Sequence, residues 1–481
     1  MLESVPRAMP VPLWVQDAVF YQIFPDRFAN GDPSNDPPGV QPWGAPPTLS
    51  GFQGGDLRGI LDHLDYLIDL GVTALYLNPI FVAGSNHRYN TTDYLAIDDR
   101  LGTKDDFARL IDQAHRRGLR VLLDGVFNHT GRGFFAFRDL LDHGERSAFR
   151  DWYHVREFPL DAFGDGPAER YLAWWKLRSL PKLNTSHPPV RAYLLEIARR
   201  WIEQGVDGWR LDVPNEIDDD EFWGELRAEV KQANSEACLL GEIWTVDPRW
   251  VGPRMFDGLM NYPQRRALID LVVEGTFTPS GFRKAIERQM AAYPDAHVHA
   301  HYNLLGSHDT ERVATLAGDD RHRLRLLFCL QFFLPGAPAI LYGDEVGLTG
   351  GKDPECRAAF PWDPSRWDEN RRKLLQRLIR LRKERAELRR GALTFLELHD
   401  AEDVVGMARR MGESCSVLFA NISDSSRQVR IPAGTLGWGE GREVHDALTD
   451  RAVHIGPDGL VKTLGPWETI LLTDSPSPRN R

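Results

Sequence analysis

A chain of 481 residues, 42% hydrophobic and 26% charged, has the material for a large core and exceeds the length of an ordinary single domain. Its net charge of -11 argues against nucleic acid or an anionic membrane surface as the main partner. The four cysteines, Cys238, Cys329, Cys356 and Cys415, are far apart with no C-x-x-C pair, and read as buried thiols rather than a disulfide framework or zinc site.

The first fourteen residues carry an early glutamate and no sustained apolar run, so they do not read as a secretory signal. No later stretch is long and apolar enough to span a bilayer, and a cytoplasmic protein is expected. A first strand is predicted over 18–24, ended by Pro25 and followed by a polar, Pro- and Gly-rich loop. Leu57, Ile60, Leu61, Leu64, Leu67 and Ile68 have helical spacing, which predicts one helix over 56–70 stopped by Gly71. Strand two follows at 73–77, then a helix over 104–117 and strand three at 120–123, ended by Asp124. The segment 128–184 is aromatic, glycine-rich and without period, too long for a simple loop, and reads as a small inserted domain.

Alternation then resumes. Helices are predicted over 189–204, 220–232, 279–292, 321–333 and 369–387. Strands are predicted at 206–211, 238–241, 256–260, 303–306 and 339–342. After about residue 392 come short β-type runs at 404–408, 415–420, 428–431, 444–446 and 469–472. The tail 475–481 is expected to be disordered. The pattern predicts an α/β protein: a (β/α)8 TIM barrel from 1–127 and 185–391, with domain 128–184 inserted after strand three and a C-terminal antiparallel β-sandwich at 392–475. An open doubly wound sheet is the alternative, but the glycine fingerprint it would carry is missing.

Asp212, Glu242 and Asp309 each end a short apolar strand and would meet at one barrel mouth. One ionised carboxylate attacking an acetal carbon, with a protonated one feeding the leaving oxygen, is the retaining glycosidase arrangement. Arg210, two residues before Asp212 on the same strand face, would keep that aspartate ionised. Glu242, with the longer reach, reads as acid/base, Asp212 as nucleophile, and Asp309 as a ligand to sugar hydroxyls. His129 and His308 are candidate hydroxyl ligands. A metal-dependent barrel enzyme is a second reading, and the alternating run His297, His299, His301 is either part of such a site or an ordinary wet loop.

The chain resembles the alpha-amylase family of retaining alpha-glucan hydrolases. The resemblance rests on Asp124-Gly125-Val126-Phe127-Asn128-His129, Gly208-Trp209-Arg210-Leu211-Asp212, Gly241-Glu242-Ile243-Trp244 and Ser307-His308-Asp309. It implies the same three catalytic residues. It adds Arg210, His129 and His308 around the bound glucose, Tyr89 as an aromatic platform, and Asp353 and Arg357 on the next non-reducing sugar. Leu180-Pro181-Lys182-Leu183-Asn184 is similar to a segment of the cyclomaltodextrinase, neopullulanase and maltogenic amylase branch. The chain is expected to differ from that branch in lacking its N-terminal β-domain, and it carries Glu311 where proline is usual and Thr245 where histidine or asparagine is common. A monomer or weak dimer with an open cleft is therefore expected.

Asn30, Asp32, Asn35 and Asp36, with Gly54 and Asp56, form an oxygen-rich set that suits Ca²⁺ and equally suits a solvated turn. The resemblance implies a structural Ca²⁺ on these six residues; no organic cofactor is expected. Trp244, two residues past Glu242, is a candidate acceptor-side contact. Trp174-Trp175 and Phe134-Phe135 read either as sugar platforms or as packing within the insertion. The expected activity is hydrolysis of alpha-1,4-glucosidic bonds in malto-oligosaccharides, cyclodextrins or related alpha-glucans, with transglycosylation and alpha-1,6 side activity. A glucosyltransferase or isomerase of the trehalose synthase type would use the same scaffold.

Overall fold

The computed structural model describes residues 11–398, 401–432 and 434–474. Eight short parallel strands form its centre: β1 (Phe20–Ile23), β2 (Ala74–Leu77), β3 (Arg120–Gly125), β4 (Gly208–Leu211), β5 (Cys238–Gly241), β6 (Gly258–Leu259), β7 (Tyr302–Leu304) and β8 (Ala337–Leu341). Their order is β6-β5-β4-β3-β2-β1-β8-β7, and a parallel bridge between Met260 and Tyr302 closes the cylinder. Helices cover the outside, so the strands are buried on both faces and read as continuous apolar runs.

Period-two alternation divides each strand between two cores. Tyr21, Leu75, Val121, Trp209 and Leu239 pack outward against the helices. Phe20, Ala74, Tyr76, Leu122, Cys238 and Leu240 pack inward with Met260, Tyr302 and Ala339. The same inward face continues to Gln22, Asp124 and Glu242, so each of these strands passes from apolar core to polar mouth in one two-residue step.

Sequence signals explain the best-defined helices. Thr103 and Asp106 form a reciprocal capping box on Lys104–Arg116, and Asp219 caps Asp220–Ala233 through the Phe222 amide. Gly71, at φ 97°, supplies the left-handed residue that stops Leu64–Leu70.

The single helix expected over 56–70 is instead two, Leu57–Asp62 and Leu64–Leu70. The break falls at His63, whose Nδ1 lies 2.8 Å from the Gly59 carbonyl and whose ring lies 3.7 Å from that of Trp362. A tertiary partner, not a glycine or proline, decides it. The histidine run is also not a wet loop. His297 and His299 lie on helix Asp295–Ala300, and His297, His299 and His301 are all buried. His297 Nδ1 faces the Asp257 carbonyl at 2.9 Å, and His301 Nδ1 accepts from the Leu259 amide at 3.1 Å. A helix at Tyr262–Val272 escapes the sequence reading, as does the short Ala386–Arg390 that follows Glu369–Glu384.

The C-terminal part has a six-stranded antiparallel sheet and a two-stranded one, Arg427–Ile431 with Leu460–Leu464. Val417, Phe419, Ile470 and Leu472 from the first pack with Val429, Ile431, Leu460 and Leu464 from the second. The alternate residues Leu418, Ala420 and Leu471 join the barrel-side core, which fixes this sandwich against the helices. Ala392–Phe395, Arg451–His454 and Leu460–Leu464 are further strands that the sequence reading does not pick out. The tail 475–481 lies outside the described residues. Among those described, no helix is long and apolar enough to cross a membrane, and all four cysteines are free and buried.

Candidate active site

The mouth at the C-terminal ends of the strands is organised by one arginine. Arg210 on β4 is 1% exposed, and its Nη1 donates at 2.9 Å to both Asp124 Oδ1 and Asp212 Oδ1. Its Nη2 lies 2.9 Å from Glu242 Oε2, a charge contact without hydrogen-bond alignment, and its Nε meets Met260 Sδ at 3.4 Å. A buried guanidinium thus faces three carboxylates from the ends of β3, β4 and β5. Asp124 is absent from the residues that the sequence nominates, although it too ends a strand.

Burial pushes the Asp124, Asp212 and Glu242 carboxyls upward, Asp212 well above the ordinary range, while Arg210 opposes the shift in each. Neighbouring carboxylates around one cation cannot all ionise freely, so a proton belongs to the cluster. Arg210 donates aligned, charge-assisted bonds to Asp124 and to Asp212, whereas the donors hydrogen-bonded to Glu242 are neutral. Glu242 receives only the Val213 amide on Oε2 (3.0 Å) and the Trp244 indole N–H on Oε1 (3.2 Å). Val213 reaches Glu242 from a left-handed backbone, φ 34° and ψ 52°, an unusual conformation for a β-branched residue.

Asp309 follows β7, with its Oδ1 held by Arg357 Nη2 at 3.1 Å and its Oδ2 3.1 Å from His308 Nε2. Arg357 Nε also donates to the His308 carbonyl at 2.8 Å, and its Nη1 lies 3.2 Å from Asp353 Oδ1. The Gln22 amide nitrogen donates to Asn78 Oδ1 (3.0 Å) and His308 Nδ1 (2.8 Å), which leaves the His308 proton on Nε2. Tyr89 O–H then donates to Asp124 Oδ2 at 2.7 Å and receives Asn78 Nδ2 at 2.9 Å. Burial, then Arg357 and Arg210, depress His308 well below the usual histidine value, so it is a neutral donor.

His129 is buried beside the Tyr89 backbone, its pKa taken down to about 3 by burial. Its Nε2 has no hydrogen-bond partner among the described residues, and its ring stacks on Trp174 at 5.4 Å. Trp244 is half exposed and stacks on Tyr262, ring centres 3.6 Å apart and planes 10° from parallel. The fold brings together Tyr89, His129, Arg210, Asp212, Glu242, Trp244, His308, Asp309, Asp353 and Arg357. The phenylalanine pair separates from them: Phe134 is fully buried, and Phe135 packs on Phe149, Trp152 and Tyr193.

The oxygen-rich loop lies outside this mouth. Asn30 Nδ2 donates to Asp36 Oδ1 at 2.8 Å, and a Cβ at position 54 would stand 2.2 Å from that same oxygen. Asn30 Oδ1 and Asn35 Oδ1 are buried without hydrogen-bond partners among the described residues. Burial raises the Asp36 carboxyl, and no cation of the chain pairs with it among the described residues. Asp32 Oδ1 is taken by Ser34, and Asp56 caps Leu57–Asp62 while accepting from Gly31, Asp32 and Asn35. Two orphaned amide oxygens beside an uncompensated carboxylate fit a hard cation.

The alpha-amylase catalytic-domain family model matches residues 22–390. A cyclomaltodextrinase from Geobacillus thermopakistaniensis is 44% identical over 462 residues, 96% of this chain and 77% of that protein. Neopullulanase 2 of Thermoactinomyces vulgaris is 41% identical over 464 residues, 96% of this chain and 78% of that protein. The structure of cyclic alpha-maltosyl-(1-->6)-maltose hydrolase from Arthrobacter globiformis, in complex with its cyclic sugar, is similar with TM-score 0.88 at 38% identity, covering 96% of this chain and 100% of that one. With an eight-stranded barrel whose mouth gathers four carboxylates, and with these matches over nearly its whole length, the chain belongs to the alpha-amylase family.

Proposed function

We infer that the protein is a retaining glycoside hydrolase that cleaves alpha-1,4-glucosidic bonds of malto-oligosaccharides, cyclodextrins or related alpha-glucans by double displacement. The observation that carries this reading is Arg210, one buried cation in contact with Asp124, Asp212 and Glu242. Asp212, given an aligned bond by Arg210, is the nucleophile that attacks the anomeric carbon. Glu242 holds the proton, delivers it to the departing oxygen, and then takes one from water or from a sugar hydroxyl. The Val213 amide and the Trp244 indole N–H fix that carboxyl, so the proton moves along one direction.

Asp309 and neutral His308 accept and donate to ring hydroxyls as positive charge develops, and Arg357 holds the Asp309 carboxylate in place. His129, with its free Nε2, offers a further hydroxyl contact; Tyr89 provides a flat face under the reacting ring. Asp353 and Arg357 serve the next non-reducing sugar, and Trp244 on Tyr262 the acceptor side. Asn30, Asp32, Asn35, Asp36, Gly54 and Asp56 would hold Ca²⁺, whose charge would pin the loop after β1 and take no part in bond cleavage. Four free, buried thiols support a reducing, cytoplasmic setting.

The test is incubation with cyclodextrin, pullulan, starch and maltotriose, with the anomer of the fresh product read by NMR. Alpha product from the wild type, and none from a folded Asp212→Asn variant, is expected. Beta product, or near-normal turnover in that variant, would remove the double-displacement account.

A further inference from the structure

A four-residue turn in the segment between β3 and β4 has an unusual occupant. Leu177 N–H donates to the Trp174 carbonyl at 2.9 Å, and the two residues between them, Trp175 and Lys176, both have positive φ, 48° and 60°. Such a turn ordinarily carries asparagine, aspartate or glycine at these positions, because a Cβ crowds the left-handed backbone. Trp175 is nevertheless 76% exposed, the largest such value among the exposed large apolar residues described. The turn therefore accepts backbone strain and presents a wide apolar ring to water, and the free protein gains little packing in exchange.

What the ring does contact points to its use. Trp175 stacks flat on Trp174, ring centres 4.6 Å apart and planes 9° from parallel, and Trp174 in turn stacks on His129 at 5.4 Å and 19°. The base of the turn is tied to the pocket. His129 pairs with Lys182, Ala173 with Pro181, and the Trp174 amide donates to the Leu180 carbonyl at 3.0 Å. A continuous aromatic stack runs from the pocket wall to the surface, and its outermost face is open.

We propose that Trp175 is a specificity-determining residue, its open indole face seating a glucose ring of a longer alpha-glucan beyond the ring that meets His129. A pyranose presents a flat patch of C–H groups that an indole face covers well, and the stack holds that face in a fixed orientation. The proposal rests on the glycosidase reading above and adds a preference for chain length. Short substrates end before the turn and gain nothing from it.

The experiment compares kcat/KM for maltoheptaose and maltotriose in the wild type, Trp175→Asn, Trp175→Ala and Trp175→Phe, with Tm and sedimentation for each. Expected is a five- to tenfold fall in the maltoheptaose-to-maltotriose ratio for the Asn and Ala variants, with Phe close to wild type. The Tm of Trp175→Asn should equal or exceed that of the wild type, because asparagine suits the turn. A merely structural tryptophan would instead lower Tm and leave the ratio alone, which overturns the proposal. A wild-type dimer that dissociates in Trp175→Asn at an unchanged ratio would assign the ring to a protein interface and overturns it as well. A wild type that cleaves neither sugar removes the glycosidase reading itself.

Discussion

Tyr89 and His308 lie side by side in nearly parallel planes, ring centres 5.4 Å apart and planes 6° from parallel, with the phenol oxygen 2.6 Å from His308 Nε2. The contact couples the loop after β2 to the end of β7 across the barrel mouth. Through Asp124 it also reaches Arg210, so a hydroxyl with no role in bond breaking sits within the charge network that sets the acids.

Removing that hydroxyl should be felt in both activity and stability. Tyr89→Phe leaves Asp124 Oδ2, Asn78 Nδ2 and His308 Nε2 each one partner short. A loss of about 1–3 kcal/mol in stability is expected, with kcat/KM about ten- to a hundredfold lower. Chemical denaturation and steady-state rates check the two together; a variant of full stability and activity would show that the network does not depend on the phenol.

Arg210→Met should be more severe. Truncating the cation of a buried cluster typically destabilises by about 3–5 kcal/mol, since the partner carboxylates are left uncompensated. Arg210 lowers the Asp124, Asp212 and Glu242 carboxyls, so without it all three rise further. The acid limb of the pH-activity profile should therefore move to higher pH. A limb that stays in place or moves to lower pH would contradict the assigned charge balance.

Glu345 should give the stability curve a slope near neutrality. Its Oε1 accepts from Tyr21 at 2.6 Å and Tyr66 at 2.7 Å, while Oε2 is buried without a hydrogen-bond partner among the described residues. Burial raises its pKa from 4.5 to about 7. A raised folded value means that the contribution is complete below about pH 4.5 and is lost as pH rises through about 7. The linkage amounts to roughly 3 kcal/mol. Glu345→Gln should flatten the dependence of Tm on pH over that window, which calorimetry between pH 4 and 8 would read.

Calcium removal should lower Tm without abolishing catalysis at moderate temperature. Saturation at a hundredfold over Kd stabilises a folded protein by about 2.7 kcal/mol. Chelator should produce a downward Tm shift that added Ca²⁺ reverses, and Asp36→Ala should remove the response. An identical melting curve with and without chelator would show that the loop holds no cation.

The barrel, its sandwich and the three strand-end acids are legible in the sequence because they rest on local signals. Strand β5 announces itself as Cys238–Gly241 followed at once by Glu242, and helix Arg321–Phe333 follows from spacing alone. What the sequence hides depends on partners far along the chain. The break at His63 needs Trp362, and the buried histidines need Asp257 and Leu259. Gln22 and Asn78 orient His308 from β1 and the end of β2, yet neither residue type nor spacing marks them. Asp124 was within reach, because it ends β3 as Asp212 ends its own strand, but its bond to Arg210 appears only once β3 and β4 lie side by side.

Strand β6 is the thin stave of the cylinder, with two paired residues toward β5 and a single bridge toward β7. Thermal breathing should begin along that seam, and amide exchange around 258–261 should outpace that of the other staves. Met260 sits at the join and also holds Arg210 Nε through its sulfur. Each opening would loosen the arginine that three acids share. On heating, catalytic competence should consequently fade before the circular dichroism of the helices does.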